Sequence, residues 1–296
     1  MRERALRFGR SANLVGILTE PDGGSVPGLP AAVLLNSGIL HRVGASRLYV
    51  KFARSLAEHG FTSLRFDFSG VGDSEPRRDA LSFEDSAVIE ASEAMDHLAS
   101  TKGIERFFLI GLCSGSDVAY NAALADARVV GVANLDAFVY RTWKYYLRHY
   151  GPRVFKLGVW RNSIRVRLGA RRDNGTEEQA ASASYIAPEY RRVFPPRAVI
   201  RAGLQKLSDR GVRMFHFFSG GMEEHVNYES QYVDAFKPLD LRGLVDLVYV
   251  KEADHIVTGL EHQRLVVERL SNWAVRCFQP HTRTHDQTLQ PIGADS

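Results

Sequence analysis

Cysteine is scarce in this 296-residue chain, which holds only Cys113 and Cys277. So low a count excludes a disulfide scaffold and fits free thiols in a reducing compartment. Long apolar runs are missing as well. No stretch approaches the roughly 20 apolar residues that a membrane span requires. The opening Met1-Arg2-Glu3-Arg4 continues into polar, mixed sequence without the apolar core of a secretory signal. These absences lead to the expectation of a cytoplasmic protein with no membrane span. There are no internal repeats. Gly70-Val71-Gly72 lacks the third glycine of a dinucleotide fingerprint, and no phosphate-binding helix opens after it. Neither a cofactor nor a metal is expected.

Acidic residues are missing from one segment in particular. Between Phe138 and Gly175 ten basic residues face a single acid, Asp173, giving a local charge of +9 in a chain whose net charge is only +4. The same segment carries Tyr140, Trp143, Tyr145, Tyr146 and Tyr150. A basic, aromatic surface of this kind is either a solvated helix face or a place for an anionic partner. Nucleic acid fits the charge but nothing else in the chain, and is not expected.

What is present is a sizeable apolar fraction, 45%, arranged in alternating patterns. Ala31–Asn36, Thr62–Asp67, Phe107–Leu112, Val129–Leu135, Val212–Ser219 and Val245–Val250 read as buried strands. Arg47–His59, Phe83–Thr101, the segment from Ser114 to Ala125 and Leu260–Phe278 read as helices with one apolar face. Short strands alternating with longer helices predict an α/β protein with a mostly parallel, doubly wound sheet covered on both faces. The expected core is 1–136 plus 198–278. The arginine-rich stretch 137–197 reads as a helical cap insertion, and the polar tail 279–296 as disordered.

The most informative stretch is Phe107-Phe108-Leu109-Ile110-Gly111-Leu112-Cys113-Ser114-Gly115. Here a strand pattern meets a helical one with no linker, across Gly-x-Cys-x-Gly. So tight a turn leaves no room for side chains at its flanks, and it lifts the apex residue, Cys113, above the sheet edge. The helix starting at Ser114 would favour the thiolate there. A motif centred on Ser114 would need glycine at Leu112 and Ser116, so the serine is not the apex. Cysteine is also a common core residue, but the elbow position points to a nucleophile.

At this point the chain resembles the α/β-hydrolase fold family, over nearly its whole length. Four motifs carry the resemblance, in the family's order: Asn36-Ser37-Gly38-Ile39 after a buried strand, the D-x-x-G-x-G-x-S turn Asp67–Ser74, the elbow around Cys113, and Asp254-His255 after the last strand. The likeness implies an ester- or thioester-cleaving, or acyl-transferring, enzyme similar to dienelactone hydrolases and polyester synthases in its cysteine. It implies His255 as the base, with His41 as a rival. It implies an acid after the Val212–Ser219 strand, where Gly220-Gly221-Met222-Glu223 offers Glu223, with Glu224 adjacent and Asp136 as the position used in some members. An oxyanion hole would come from the amides of Ser114 and of Ile39 or Gly38. The expected substrate is a small ester or thioester, with acyl-coenzyme A or an acyl carrier protein as candidates for the basic cap. The alternative is a non-catalytic ligand-binding protein on a hydrolase scaffold.

Overall fold

The computed structural model describes residues 1–10, 13–154 and 192–279. Its centre is built from strands that the sheet buries on both faces. These are β3 (Ala31–Leu35), β4 (Ser63–Asp67), β5 (Phe107–Leu112) and β6 (Val129–Leu135), apolar except for the polar positions of β4 and Asn134 of β6. Two further strands, β7 (Arg213–Ser219) and β8 (Val245–Val250), extend the parallel sheet on one side. On the other side lie β2 (Leu14–Glu20) and β1 (Arg2–Phe8), both antiparallel to their neighbours. The strand order is β1-β2-β4-β3-β5-β6-β7-β8.

Helices cover both faces, as the alternation predicts. On one face α1 (Leu48–Glu58) and α7 (Leu260–Phe278) seal a core containing Phe52, Phe108, Phe215 and Trp273. Phe108 stacks on Phe278 at 5.3 Å and meets the edge of Trp273 at 5.9 Å. Large rings locked together in this way make truncation expensive, about 3–5 kcal/mol for an aromatic. On the other face α2 (Phe83–Lys102), α3 (Ser114–Ala125) and α5 (Arg197–Asp209) pack on Leu64, Phe66, Leu109 and Met214. The helix α4 (Trp143–Val154) follows β6, and the short α6 (Gln231–Phe236) precedes β8.

The sequence periodicity passes over β1 and β2. In β1 all residues but Leu6 and Phe8 are exposed, so its Arg and Glu side chains hide the pattern, and pairing with β2 makes it a strand. The buried stripe of α2 runs through Ala87, Ala91, Ala94, Met95 and Leu98, with Val88 only packed against its border. Most of the predicted cap, and the tail from 280 onward, lie outside the described residues. Among those described, no helix is long and apolar enough to cross a membrane.

Parallel strands place their C-terminal ends along one edge. Leu35, Leu112 and Leu135 therefore finish near one another, and the loops after them, with those after Ser219 and Val250, share the crevice where open α/β sheets hold ligands.

Candidate active site

The elbow between β5 and α3 is as tight as its glycines require. A Cβ on Gly111 would lie 2.2 Å from the backbone of Gly115, and one on Gly115 would lie 2.6 Å from the carbonyl oxygen of Leu35. Cys113 sits between them at φ 53°, ψ −116°, a conformation that costs a non-glycine residue on the order of 1–3 kcal/mol. The surroundings hold it there. The Cys113 amide donates to Leu135 O at 2.9 Å, and the Ser116 hydroxyl reaches Gly111 O and Leu135 O at 2.8 Å each. Tyr49 of α1, fully buried, donates to Leu35 O at 2.7 Å and accepts from the Leu112 amide at 3.0 Å.

The loop after β8 delivers His255 to this sulfur. Asp254 fastens the loop by accepting the amides of Ile256 at 3.0 Å and Thr258 at 3.1 Å. Val257 turns through φ 50°. Beneath runs Gly220-Gly221, where a Cβ on Gly221 would lie 2.7 Å from the His255 amide nitrogen. These two glycines clear space for the histidine loop. The imidazole stands beside the Cys113 thiol on one side, near enough for each to shift the other's ionisation. On the other, Nδ1 lies 2.7 Å from Asp136 Oδ2.

Asp136 follows β6 directly. It is fully buried, at φ 52°, and its carboxylate accepts the Ser219 amide at 2.8 Å and the Ser219 hydroxyl at 2.7 Å. Glu223, the first expectation for this place, stands elsewhere. It and Glu224 are exposed and line a separate cavity with Arg148, His149, Asn227 and Tyr249. The backbone carbonyls of both accept from the Tyr145 hydroxyl. His41 is exposed, and its carbonyl closes a turn with the Gly44 amide. Of the predicted residues, then, the fold gathers Cys113, His255 and Asp136, and leaves Glu223, Glu224 and His41 apart.

The loop after β3 borders the sulfur from the other side. Its β-turn is closed by the Leu40 amide on Ser37 O at 3.0 Å, with Gly38 at φ 52°. Asn36 anchors it, donating to Leu40 O at 2.5 Å while accepting the Phe68 amide at 3.0 Å. The Asp67–Ser74 turn serves as the support. Ser74 donates to Asp67 O at 2.6 Å, and Asp67 accepts the Arg42 amide at 2.5 Å. The Gly38 amide donates to the Ser114 hydroxyl at 2.7 Å, so that amide is already engaged. Ile39 is 93% exposed at the tip of the turn.

Burial alone would raise the Cys113 thiol above its ordinary value, but the hydrogen bond from His255, the charge of Arg192, that of His255 and the Ser114 amide outweigh it, and the thiol is held low. His255 moves the opposite way, up to about 10, because Asp136 and then Cys113 hydrogen-bond its protonated form. Both directions favour the charged forms, thiolate at Cys113 and imidazolium at His255. Arg192 gave no signal in the sequence: it lies 79 residues beyond Cys113, between the equally basic Arg191 and Arg197.

The mostly parallel eight-stranded sheet, the strained elbow and the loops gathered at its carboxyl edge define an α/β hydrolase. Residues 30–204 match the family model described as serine aminopeptidase, S33, and the chain belongs to that family. No curated protein matches the sequence. Among solved structures, the chain is similar to an α/β serine hydrolase without a lid from Xanthomonas campestris, at 14% identity and a TM-score of 0.56, over 95% of this chain and 97% of that one. An esterase from Pyrococcus furiosus aligns at 15% identity and a TM-score of 0.57, over 94% and 92% of the two chains. The dienelactone hydrolase of Anabaena variabilis aligns at 14% and 0.56, over 94% and 99%. At such identities the likeness is one of fold.

Proposed function

We propose that this α/β hydrolase is a cysteine-dependent acyl-transfer enzyme that cleaves a carboxylic ester or thioester through an acyl-Cys113 intermediate. The observation that carries the reading is the meeting of Cys113, at a strained elbow position, with His255, whose Nδ1 lies 2.7 Å from the buried Asp136 carboxylate and whose imidazole acts directly on the thiol. In the first step the Cys113 thiolate attacks the acyl carbonyl and a carbon–sulfur bond forms. The oxyanion is met by the Ser114 amide and by that of Ile39, the Gly38 amide being held by the Ser114 hydroxyl. Collapse expels the alcohol or thiol, which takes the proton of His255. In the second step neutral His255 accepts a proton from water as its oxygen attacks the thioester. The carbon–sulfur bond then breaks, the carboxylic acid leaves and the thiolate returns. An alcohol or amine in place of water would make the same cycle a transfer. Asp136, wrapped by Ser219, orients the imidazole and steadies its positive charge.

The anionic-partner expectation gains no support from the basic residues at the start of the cap. Arg141 donates to Glu224 O at 2.7 Å, Lys144 pairs with Asp234 at 3.0 Å and Arg148 stacks 4.8 Å over the Tyr228 ring. A surface for acyl-coenzyme A or an acyl carrier rests on the basic residues from Arg153 to Arg172, whose side chains lie outside those described.

The test is turnover of p-nitrophenyl esters and acyl-coenzyme A thioesters of graded length by the wild type and by Cys113→Ala. The expected result is hydrolysis of at least one series, lost in the variant. Hydrolysis undiminished in Cys113→Ala would overturn the reading, and no turnover of any donor would favour a binding protein.

A further inference from the structure

Resting on that reading, we propose that Arg192 is a positioning residue of the acyl-transfer site: it fastens the tip that carries Asp136 to the helix that carries Cys113. Three of its donors are accounted for. Nη1 donates to the backbone carbonyl of Asp136 at 2.7 Å, Nε donates to Asp117 Oδ2 at 2.7 Å, and Nη2 donates to Asp117 Oδ1. Asp117 lies in the first turn of α3, four residues past the nucleophile. One planar guanidinium therefore spans the two elements whose separation sets the distance from acid to sulfur.

The surroundings make the clamp firm. The side chains of Arg192 and Asp117 are only 12% and 16% exposed, so their bidentate pair is little screened. Phe138 and Phe194 hold the guanidinium carbon 4.9 and 5.0 Å from their ring centres. The carbonyl that Arg192 grips belongs to a residue at φ 52°, a conformation that persists only where neighbours enforce it. The amide of that residue is bound separately, to Phe217 O at 2.8 Å. Lysine could supply the charge but not the three-way geometry, because its ammonium lacks the planar fork.

The titratable groups that face the Cys113 sulfur are His255 from the loop after β8, Arg192 with its partner Asp117, and Tyr49 from α1. Asp136 acts on it through His255. Burial pushes the Asp117 carboxyl up and Arg192 pulls it back, so removing the guanidinium would also perturb the acid beneath it.

The test follows the rate of Cys113 alkylation by iodoacetamide against pH, resolved from Cys277 by peptide mapping, together with kcat for a p-nitrophenyl ester. Arg192→Met is expected to move the alkylation midpoint upward by about one pH unit and to lower kcat by roughly ten- to a hundredfold. Arg192→Lys should return the midpoint towards the wild type while kcat stays about tenfold low, because the charge is restored and the fork is not. Asp117→Asn keeps the guanidinium and weakens its grip, so kcat should fall without an upward shift of the midpoint. A folded Arg192→Met with wild-type midpoint and kcat overturns the proposal. Should that variant fail to fold, wild-type kcat in both Arg192→Lys and Asp117→Asn does the same. If Cys113 of the wild type alkylates no more readily than Cys277, the acyl-transfer reading itself falls and this proposal with it. A reactive Cys113 that is indifferent to Arg192 removes only the positioning role.

Discussion

The two cysteines are the same side chain in two physical settings. Cys113 and Cys277 are both partly buried against the same core. At Cys277, in the last turn of α7, burial and the nearby Asp246 raise the thiol, and Arg213 and Arg276 do not outweigh them. At Cys113 the burial term is overcome by an imidazole, a guanidinium and a helix amide. What separates the two thiols is therefore the groups delivered to each from distant segments, and burial has little part in the distinction. Each of those groups can be removed in turn.

The largest effect should follow from the sulfur itself. Cys113→Ala is expected to lower kcat for a p-nitrophenyl ester by at least about a thousandfold, and Cys277→Ala to leave it within experimental error. Equal effects in the two variants would erase the distinction. Next comes the acid. Asp136→Asn should cost about a hundredfold in kcat, less than the ~10⁴ lost when a serine triad loses its acid, because the thiol is already acidic. Glu223→Gln should leave kcat unchanged, and a larger loss there than at Asp136 would reverse the assignment. A smaller effect is expected from Gly221→Ala, whose added methyl would meet the His255 backbone at 2.7 Å. We expect about a tenfold loss of kcat with little change in melting temperature, since the loop rather than the core must yield.

The pH dependence sharpens the same contrast. Activity should rise as Cys113 ionises, at a pH below the usual thiol range, and fall near pH 10 as His255 loses its proton. In stability the two shifts oppose each other. Raised His255 contributes fully below the unfolded imidazole value, about 6.5, and its contribution is lost as pH climbs through about 10. Lowered Cys113 contributes fully above the unfolded thiol value, about 8.5, and loses its contribution as pH falls through its folded value. In Cys113→Ala the His255 contribution persists, because Asp136 still holds the imidazole up. Melting curves of the wild type against Cys113→Ala across pH 5–11 should therefore show a difference in favour of the wild type that grows as pH rises towards the unfolded thiol value, about 8.5. A difference that stays level up to that pH contradicts a lowered thiol.

The sequence was most legible where one stretch of chain makes the feature. The elbow needs glycine at Gly111 because its own backbone at Gly115 would lie 2.2 Å from an added side chain, and at Gly115 because the Leu35 carbonyl would lie 2.6 Å away, and both glycines stand in the sequence. Strands buried on both faces announce themselves by composition, whereas β1 does not, because partner strands rather than its own residues define it. The acid was ambiguous for a related reason. Gly220-Gly221 looks like a turn presenting Glu223, yet its glycines exist to let His255 pass, a fact about residues 34 positions later. Asp136 and Arg192 are distinguished only by the side chains that fold onto them, Ser219 for the one and Asp117 for the other.

The most direct test of the thiol's role is to catch the acyl group on it. Mixing the protein with an excess of a p-nitrophenyl ester, quenching in acid within the first turnovers and mapping the peptides by mass should find one acyl unit on the Cys113 peptide and none on that of Cys277. An acyl group found on Ser114 or Ser116, or steady turnover with no acylated enzyme and no dependence on Cys113, would contradict the account.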